Sequence, residues 1–194
     1  MHGLVPYSIQ SFVIDSYGAD AWGRIGRAAD PRFGRFEAMQ TYDDAVVEGV
    51  LAAACREFNK RRSDLLEDLG TYLISNPRQR ITRRLLRFSG DSFADFLLSL
   101  EDLSDRVALA IPELRLPVVI VRQKSSSCFD LRVEPGMRGY GLVLMGVLRA
   151  MADDYGALVL SDCIEGPDGA ATLRLELLDP RFARPRDFEL SDRP

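Results

Sequence analysis

Histidine occurs once in the 194 residues, at His2, and cysteine three times, at Cys55, Cys128 and Cys163. These are the side chains best suited to hold a metal or act as nucleophiles, so their scarcity excludes much. A Ser-His-Asp triad, a two-histidine metal centre or an imidazole proton shuttle would each need a histidine in the interior of the chain. Three thiols without a CxxC spacing make a thin case for zinc, which takes about four ligands. Cys55 sits among alanines on a helical stretch and reads as a small core residue. Cys128 follows Ser125-Ser126-Ser127 at the mouth of a hairpin and reads as the exposed thiol, and Cys163 ends a strand. Gly136-Met137-Arg138-Gly139-Tyr140-Gly141 is loosely glycine-rich but has neither GxGxxG nor a Walker lysine. No catalytic residue, no metal site and no enzymatic activity are expected.

The basic residues carry a weaker signal. Arg56, Lys60, Arg61 and Arg62, then Arg78, Arg80, Arg83, Arg84 and Arg87, concentrate positive charge in the first half of the chain. Only Phe58 and Phe88 lie close by and no helix-turn-helix signature is present, so a solvated helical face is the simpler reading than nucleic-acid binding. The net charge of −4 points the same way. The start of the chain lacks a basic segment followed by an apolar core, and the longest apolar run, 141–147, is far short of the roughly 20 residues that span a bilayer. Odd, widely spaced cysteines suit a reducing compartment. The expectation is a cytoplasmic protein with neither membrane insertion nor nucleic-acid binding.

Periodicity supplies the elements that would position any site. Ile9, Phe12, Val13 and Tyr17 form one helical stripe ending at Gly18, and Ala21–Ala28 carries Trp22 and Ile25 at helical spacing. Thr41 is the expected N-cap of a helix carrying Val46, Val47, Val50, Leu51 and Ala54. Ser63-Asp64 opens a helix with Leu65, Leu66, Leu69 and Leu73, and a shorter helix is expected around Ile81, Leu85 and Phe88. From Phe93 to Val107 runs the most regular helical stripe in the chain. Past Pro112 the period changes: Val118–Val121 and Phe129–Val133 read as strands, Met137–Tyr155 as a helix, and Ala157–Cys163 and Thr172–Leu178 as strands joined at Gly166-Pro167-Asp168-Gly169. Helices first and an antiparallel sheet later is an α+β layout. It implies one domain over 1–180, helical to about 112 and sheet-containing from about 113, with a polar, Pro-broken tail at 181–194.

The order of several landmarks resembles the H-NOX (haem-nitric oxide/oxygen-binding, HNOB) family. Met1-His2-Gly3-Leu4-Val5, a helix ending Tyr17-Gly18, and Trp22 are similar to that family's start. Tyr42-Asp43, Leu69-Gly70-Thr71-Tyr72, Pro112-Glu113-Leu114-Arg115-Leu116-Pro117 and Pro135-Gly136-Met137 follow in the family's order, so that the likeness spans roughly 1–178. Leu100-Glu101-Asp102-Leu103-Ser104-Asp105 matches the segment that normally reads Leu-Asp-x-Leu-His, which puts Ser104 where the family has its proximal haem ligand. A serine hydroxyl is a poor iron ligand beside an imidazole or thiolate. The Tyr-x-Ser-x-Arg motif that holds the haem propionates corresponds to Asp130, Arg132 and Glu134, where two carboxylates would repel them.

The resemblance implies a cavity between the helix around Ser104 and the helix after Gly136, with Val5, Leu97, Leu100, Leu114, Pro117, Leu144 and Leu148 as lining residues. It leaves three readings open. The pocket holds haem through a substitute ligand or none, His2 being the only imidazole; or it takes another apolar molecule such as a different tetrapyrrole or a lipid; or side chains fill it and the domain is a protein-interaction module. Loss of both haem motifs favours the latter two. By the same resemblance the domain works by binding and signalling through a separate partner protein, with homodimerisation left open.

Overall fold

The computed structural model describes residues 1–29, 34–77 and 90–178. Four helices come first: α1 (Leu4–Tyr17), α2 (Ala19–Ala29), α3 (Asp44–Phe58) and α4 (Arg62–Ser75). They enclose a core built from Ile9, Phe12, Trp22, Phe36, Val50 and Leu65 among others. Buried Gln10 is satisfied by accepting the Phe36 N–H at 2.9 Å. The cap of α3 is Asp43, not Thr41: the Asp43 carboxylate accepts the Ala45 N–H, while Thr41 pairs with His2 in an isolated antiparallel bridge. The helix expected around Ile81 lies outside the described residues, as do Arg78 to Arg87 and the tail at 181–194.

The stripe from Phe93 to Val107 is not one helix. It divides into α5 (Phe93–Leu98), a 3-10 turn (Ser99–Asp102) and α6 (Leu103–Ala110). Two side-chain bonds accompany the break: the Ser99 hydroxyl donates to the Phe96 carbonyl, and the Arg106 guanidinium donates to the Ser99 carbonyl at 2.7 Å. A carbonyl so engaged no longer needs an α-helical partner, and the turn tightens. The apolar face survives because the 3-10 turn keeps Leu100 fully buried between Leu97 and Leu103.

Four strands form an antiparallel sheet: β1 (Val119–Gln123), β2 (Cys128–Val133), β3 (Val159–Glu165) and β4 (Ala171–Leu177), in the order β1-β2-β4-β3. In β2 and β4 alternate residues are buried, with Phe129, Leu131, Val133, Leu173 and Leu175 fully enclosed. The Glu101 carboxylate accepts the Val121 N–H at 2.9 Å, which occupies an edge group of β1. Across the inner face lies α7 (Tyr140–Tyr155), which ends at Gly156 in the left-handed region, φ 67°. Phe93, Phe96 and Tyr155 cluster beside it with ring centroids 5.7–6.1 Å apart. The α+β class and the antiparallel sheet follow the sequence expectation.

The two halves meet where α4 crosses α7. Gly70 and Gly146 face each other at the crossing. A Cβ on Gly146 would overlap the Glu67 carbonyl oxygen and lie 2.9 Å from Thr71 N, and one on Gly70 would lie 3.0 Å from Gly146 Cα. Only glycines allow so close an approach of the two backbones. The Arg149 side chain adds an ion pair to Glu67 across the same junction.

Candidate functional site

Beside this crossing the two cores leave a cavity of about 390 Å³, inside the usual range of roughly 300–1,000 Å³ for small-molecule sites. Leu4 and Val5 of α1, Leu66, Leu69 and Leu73 of α4, and Leu103 and Val107 of α6 contribute to its wall. Leu114 and Leu116 follow from the loop before β1, and Tyr140, Val143, Leu144 and Val147 from α7. The helical stripes explain the supply: each helix packs most of its apolar face on its own half and turns the remainder to the space between the halves. Ser8 is satisfied locally, its hydroxyl donating to the Leu4 carbonyl at 2.8 Å. Burial alone pushes the Tyr140 phenol well above its usual range, which keeps it neutral.

The sequence-derived positions divide. Val5, Leu114 and Leu144 line the cavity, whereas Leu97, Leu100 and Leu148 are fully enclosed in the core beside the sheet, and Pro117 is buried against the start of β1 without reaching the cavity wall. The expected set of lining residues is corrected accordingly. It also omits the residues that face the void on α4, and Arg138 and Tyr140 at the start of α7. The Leu66-Leu69-Leu73 spacing is the available signal, yet periodicity does not distinguish a face that meets side chains from one that meets a void.

Ser104 is half-buried on α6 and outside the cavity wall; its hydroxyl donates to the Leu116 carbonyl at 3.1 Å. Asp130, Arg132 and Glu134 also lie away from the cavity. Phe129, Leu131 and Val133 occupy the core face of β2, so the residues between them point to the opposite face. There Asp130 pairs with Lys124 and Arg174, both at 3.4 Å, and Arg132 pairs with Glu134 at 3.5 Å. The triplet matched to the propionate motif thus carries carboxylates and also faces away from the cavity. His2 is half-buried with Nδ1 accepting the Leu4 N–H at 3.3 Å, and it is not on the cavity wall. All three cysteines are free and half-buried. Cys163 lies inside β3, and burial, aided by Glu165, pushes its thiol up to about 11. Among the described residues no group of three or more His, Cys, Asp or Glu could hold a metal ion.

The donor set therefore does not fit the haem that the resemblance implied. No imidazole or thiolate lines the cavity among the described residues, and the positions matched to the propionate motif face the other side of the sheet. A neutral, buried tyrosine is a weak axial donor, since tyrosine binds iron as the anion.

At the entrance, Arg62 makes a bidentate ion pair with Glu48 at 2.7 and 2.9 Å, and Glu165 accepts the Gly139 N–H at 2.5 Å. Other basic residues of the first cluster are likewise engaged. Lys60 pairs with Asp68 at 2.5 Å, a bond that, with Tyr17, holds the ammonium protonated far above its usual range, and Arg61 pairs with Asp64. No helix among the described residues is long and apolar enough to cross a membrane.

A helical half and a sheet half clasping an apolar cavity define an α+β class of domain. The family model described as Haem-NO-binding matches residues 2–160, and the chain belongs to that family, the H-NOX domains. Soluble guanylate cyclase 89Db of Drosophila melanogaster is 19% identical over 155 residues, covering 80% of this chain and 23% of that protein. Soluble guanylate cyclase gcy-31 of Caenorhabditis elegans is 19% identical over 154 residues, 79% of this chain and 22% of that one. The chain thus spans about a quarter of the length of these relatives. Among solved structures, an Fe(II) unliganded H-NOX mutant from K. algicida superposes with a TM-score of 0.78 at 15% identity, covering 92% of this chain and 97% of that one. An Fe(II) H-NOX protein from S. oneidensis gives 0.76 at 16%, with 93% and 97% covered. At such identities these likenesses speak to the fold.

Proposed function

We propose that this H-NOX domain is a non-catalytic sensor whose cavity takes an apolar ligand other than histidine-ligated haem, and that it reports occupancy to a separate partner protein in the cytoplasm. The observation that carries the reading is the combination of an open apolar cavity with Ser104 tied to the Leu116 carbonyl at the matched ligand position. The cavity also weighs against the reading in which side chains fill it. Because its wall is shared by both halves, a ligand that fits one arrangement of α4 against α7 better than another shifts the population between them. That shift is the signal a partner would read. The curated relatives are named as guanylate cyclases, which supports a signalling role, although the aligned region is only a fraction of their length.

Purification with excess hemin tests the reading. The expected result is no Soret band persisting through gel filtration; a band at one haem per chain would refute it, and alanine at His2, Cys55, Cys128 and Cys163 would then locate a substitute ligand. Ser104→His is the complementary arm. Its side chain loses the bond to Leu116 and starts outside the cavity wall, so no histidine-ligated spectrum is expected without further remodelling.

A further inference from the structure

We propose that the cavity binds a single-chain amphiphile bearing one carboxylate, a long-chain fatty acid in chemical class, with its chain between α4, α6 and α7 and its headgroup at Arg138. This rests on the reading above that the ligand is apolar and not histidine-ligated haem, and it adds the ligand's chemistry.

The cavity and a second depression at the surface share two residues, Glu48 and Arg138. Four charged side chains edge that depression: Glu48, Arg62, Arg138 and Glu165. Arg62 is committed to Glu48 through both nitrogens, and Glu165 is committed to the Gly139 N–H. Arg138 is exposed, and its side chain makes no hydrogen bond or ion pair with any described residue. It is the one unpaired cation at the entrance among the described residues. The sixteen-residue helix α7 begins two positions later with no acidic residue in its first turn, so its positive end lies on the same side.

The stoichiometry of charge selects among apolar ligands. A tetrapyrrole with two propionates asks for two cations, and the entrance has one to give. A carboxylate deeper inside would lose its hydration without a cationic partner, because the inner wall is apolar apart from the neutral Tyr140 phenol and the Ser8 hydroxyl, which is already bonded. A monocarboxylate with its chain inward satisfies both conditions: the guanidinium meets the headgroup with charge-assisted hydrogen bonds, and the methylenes replace water along the wall.

Calorimetric titration of the full, delipidated chain with myristate, decanoate and tetradecanol tests this. Myristate is expected to bind one per chain, about two orders of magnitude more tightly than decanoate, since each buried methylene strengthens binding several-fold. Arg138→Ala should weaken myristate about tenfold and leave tetradecanol unchanged, and Arg138→Lys should restore most of the loss. Arg138 is exposed, so these variants are expected to melt with the parent. Tetradecanol and myristate binding equally, with no dependence on Arg138, would overturn the carboxylate assignment and leave the apolar-cavity reading standing. No binding by either, or one hemin per chain excluding both, would overturn the two together.

Discussion

The crossing of α4 and α7 makes one substitution change sign with position. Glycine to alanine in a helix ordinarily stabilises by about 0.5–1 kcal/mol, because alanine loses less backbone freedom on folding. Gly49 on α3 faces open space, where an added Cβ would meet nothing within 4 Å, so Gly49→Ala should follow that rule. Gly146→Ala should not. Its methyl would overlap the Glu67 carbonyl oxygen, with Thr71 N only 2.9 Å away, whereas ordinary contact begins at 3.4 Å. These are backbone atoms of a packed helix and cannot rotate aside, so α4 must move away by a good fraction of an ångström. Overpacking of this kind costs about 1–3 kcal/mol, here toward the upper end. Against a propensity gain near 1 kcal/mol, the net is about 2 kcal/mol of destabilisation. For a domain of this size that lowers Tm by about 4–8 °C, while Gly49→Ala raises it by about 1–4 °C. Thermal denaturation followed by circular dichroism, with urea slopes confirming unchanged cooperativity, measures both. Gly146→Ala melting at or above the parent would refute the close crossing of the two halves.

Three further outcomes follow from local chemistry. With Cys55 and Cys128 replaced by alanine, Cys163 should alkylate slowly with iodoacetamide, since a thiol pushed up from 9.0 to about 11 carries about a hundredfold less thiolate at pH 8. The rate should climb about tenfold per pH unit through pH 10, and a plateau near pH 9 would contradict the burial. The same raised value makes folding stability fall between pH 9 and 11, where the unfolded thiol ionises and the folded one does not. Asp43→Ala removes the carboxylate that accepts the Ala45 N–H and should cost about 1 kcal/mol, whereas Thr41→Ala should cost less. Equal losses in urea titrations would return the cap to Thr41.

How far the site is legible in the sequence depends on which residues are asked about. The period-two strand signal at Phe129, Leu131 and Val133 is plain, and it already decides where Asp130, Arg132 and Glu134 must point. A strand that gives its odd positions to the core cannot give its even positions to a cavity on the same face. Matching the triplet to a propionate-binding motif by order alone overlooks that constraint. From α5 through the 3-10 turn to α6 the stripe correctly marks one apolar face, but Leu97 and Leu100 face solid core while Leu103 and Val107 face the void. The difference is set by what stands opposite: α7 and the sheet in one case, α1 and α4 in the other. That is tertiary information, and no periodicity within one helix contains it.

Arg138 shows the converse. In the sequence it is one more arginine in a glycine-rich turn. Its significance comes from neighbours more than twenty residues away: Glu48 taken by Arg62, and Glu165 taken by the Gly139 N–H. Whether a charge is free to meet a ligand is a property of the pairs around it, so the residue most relevant to ligand choice can be recognised only after every competing partner has been placed. Ser104 belongs with it. The resemblance picks it out by order in the chain, and its bond to the Leu116 carbonyl makes it a structural tie between α6 and the loop leading to β1. An imidazole placed at Ser104 alone therefore leaves both the orientation of α6 and the cavity wall in place.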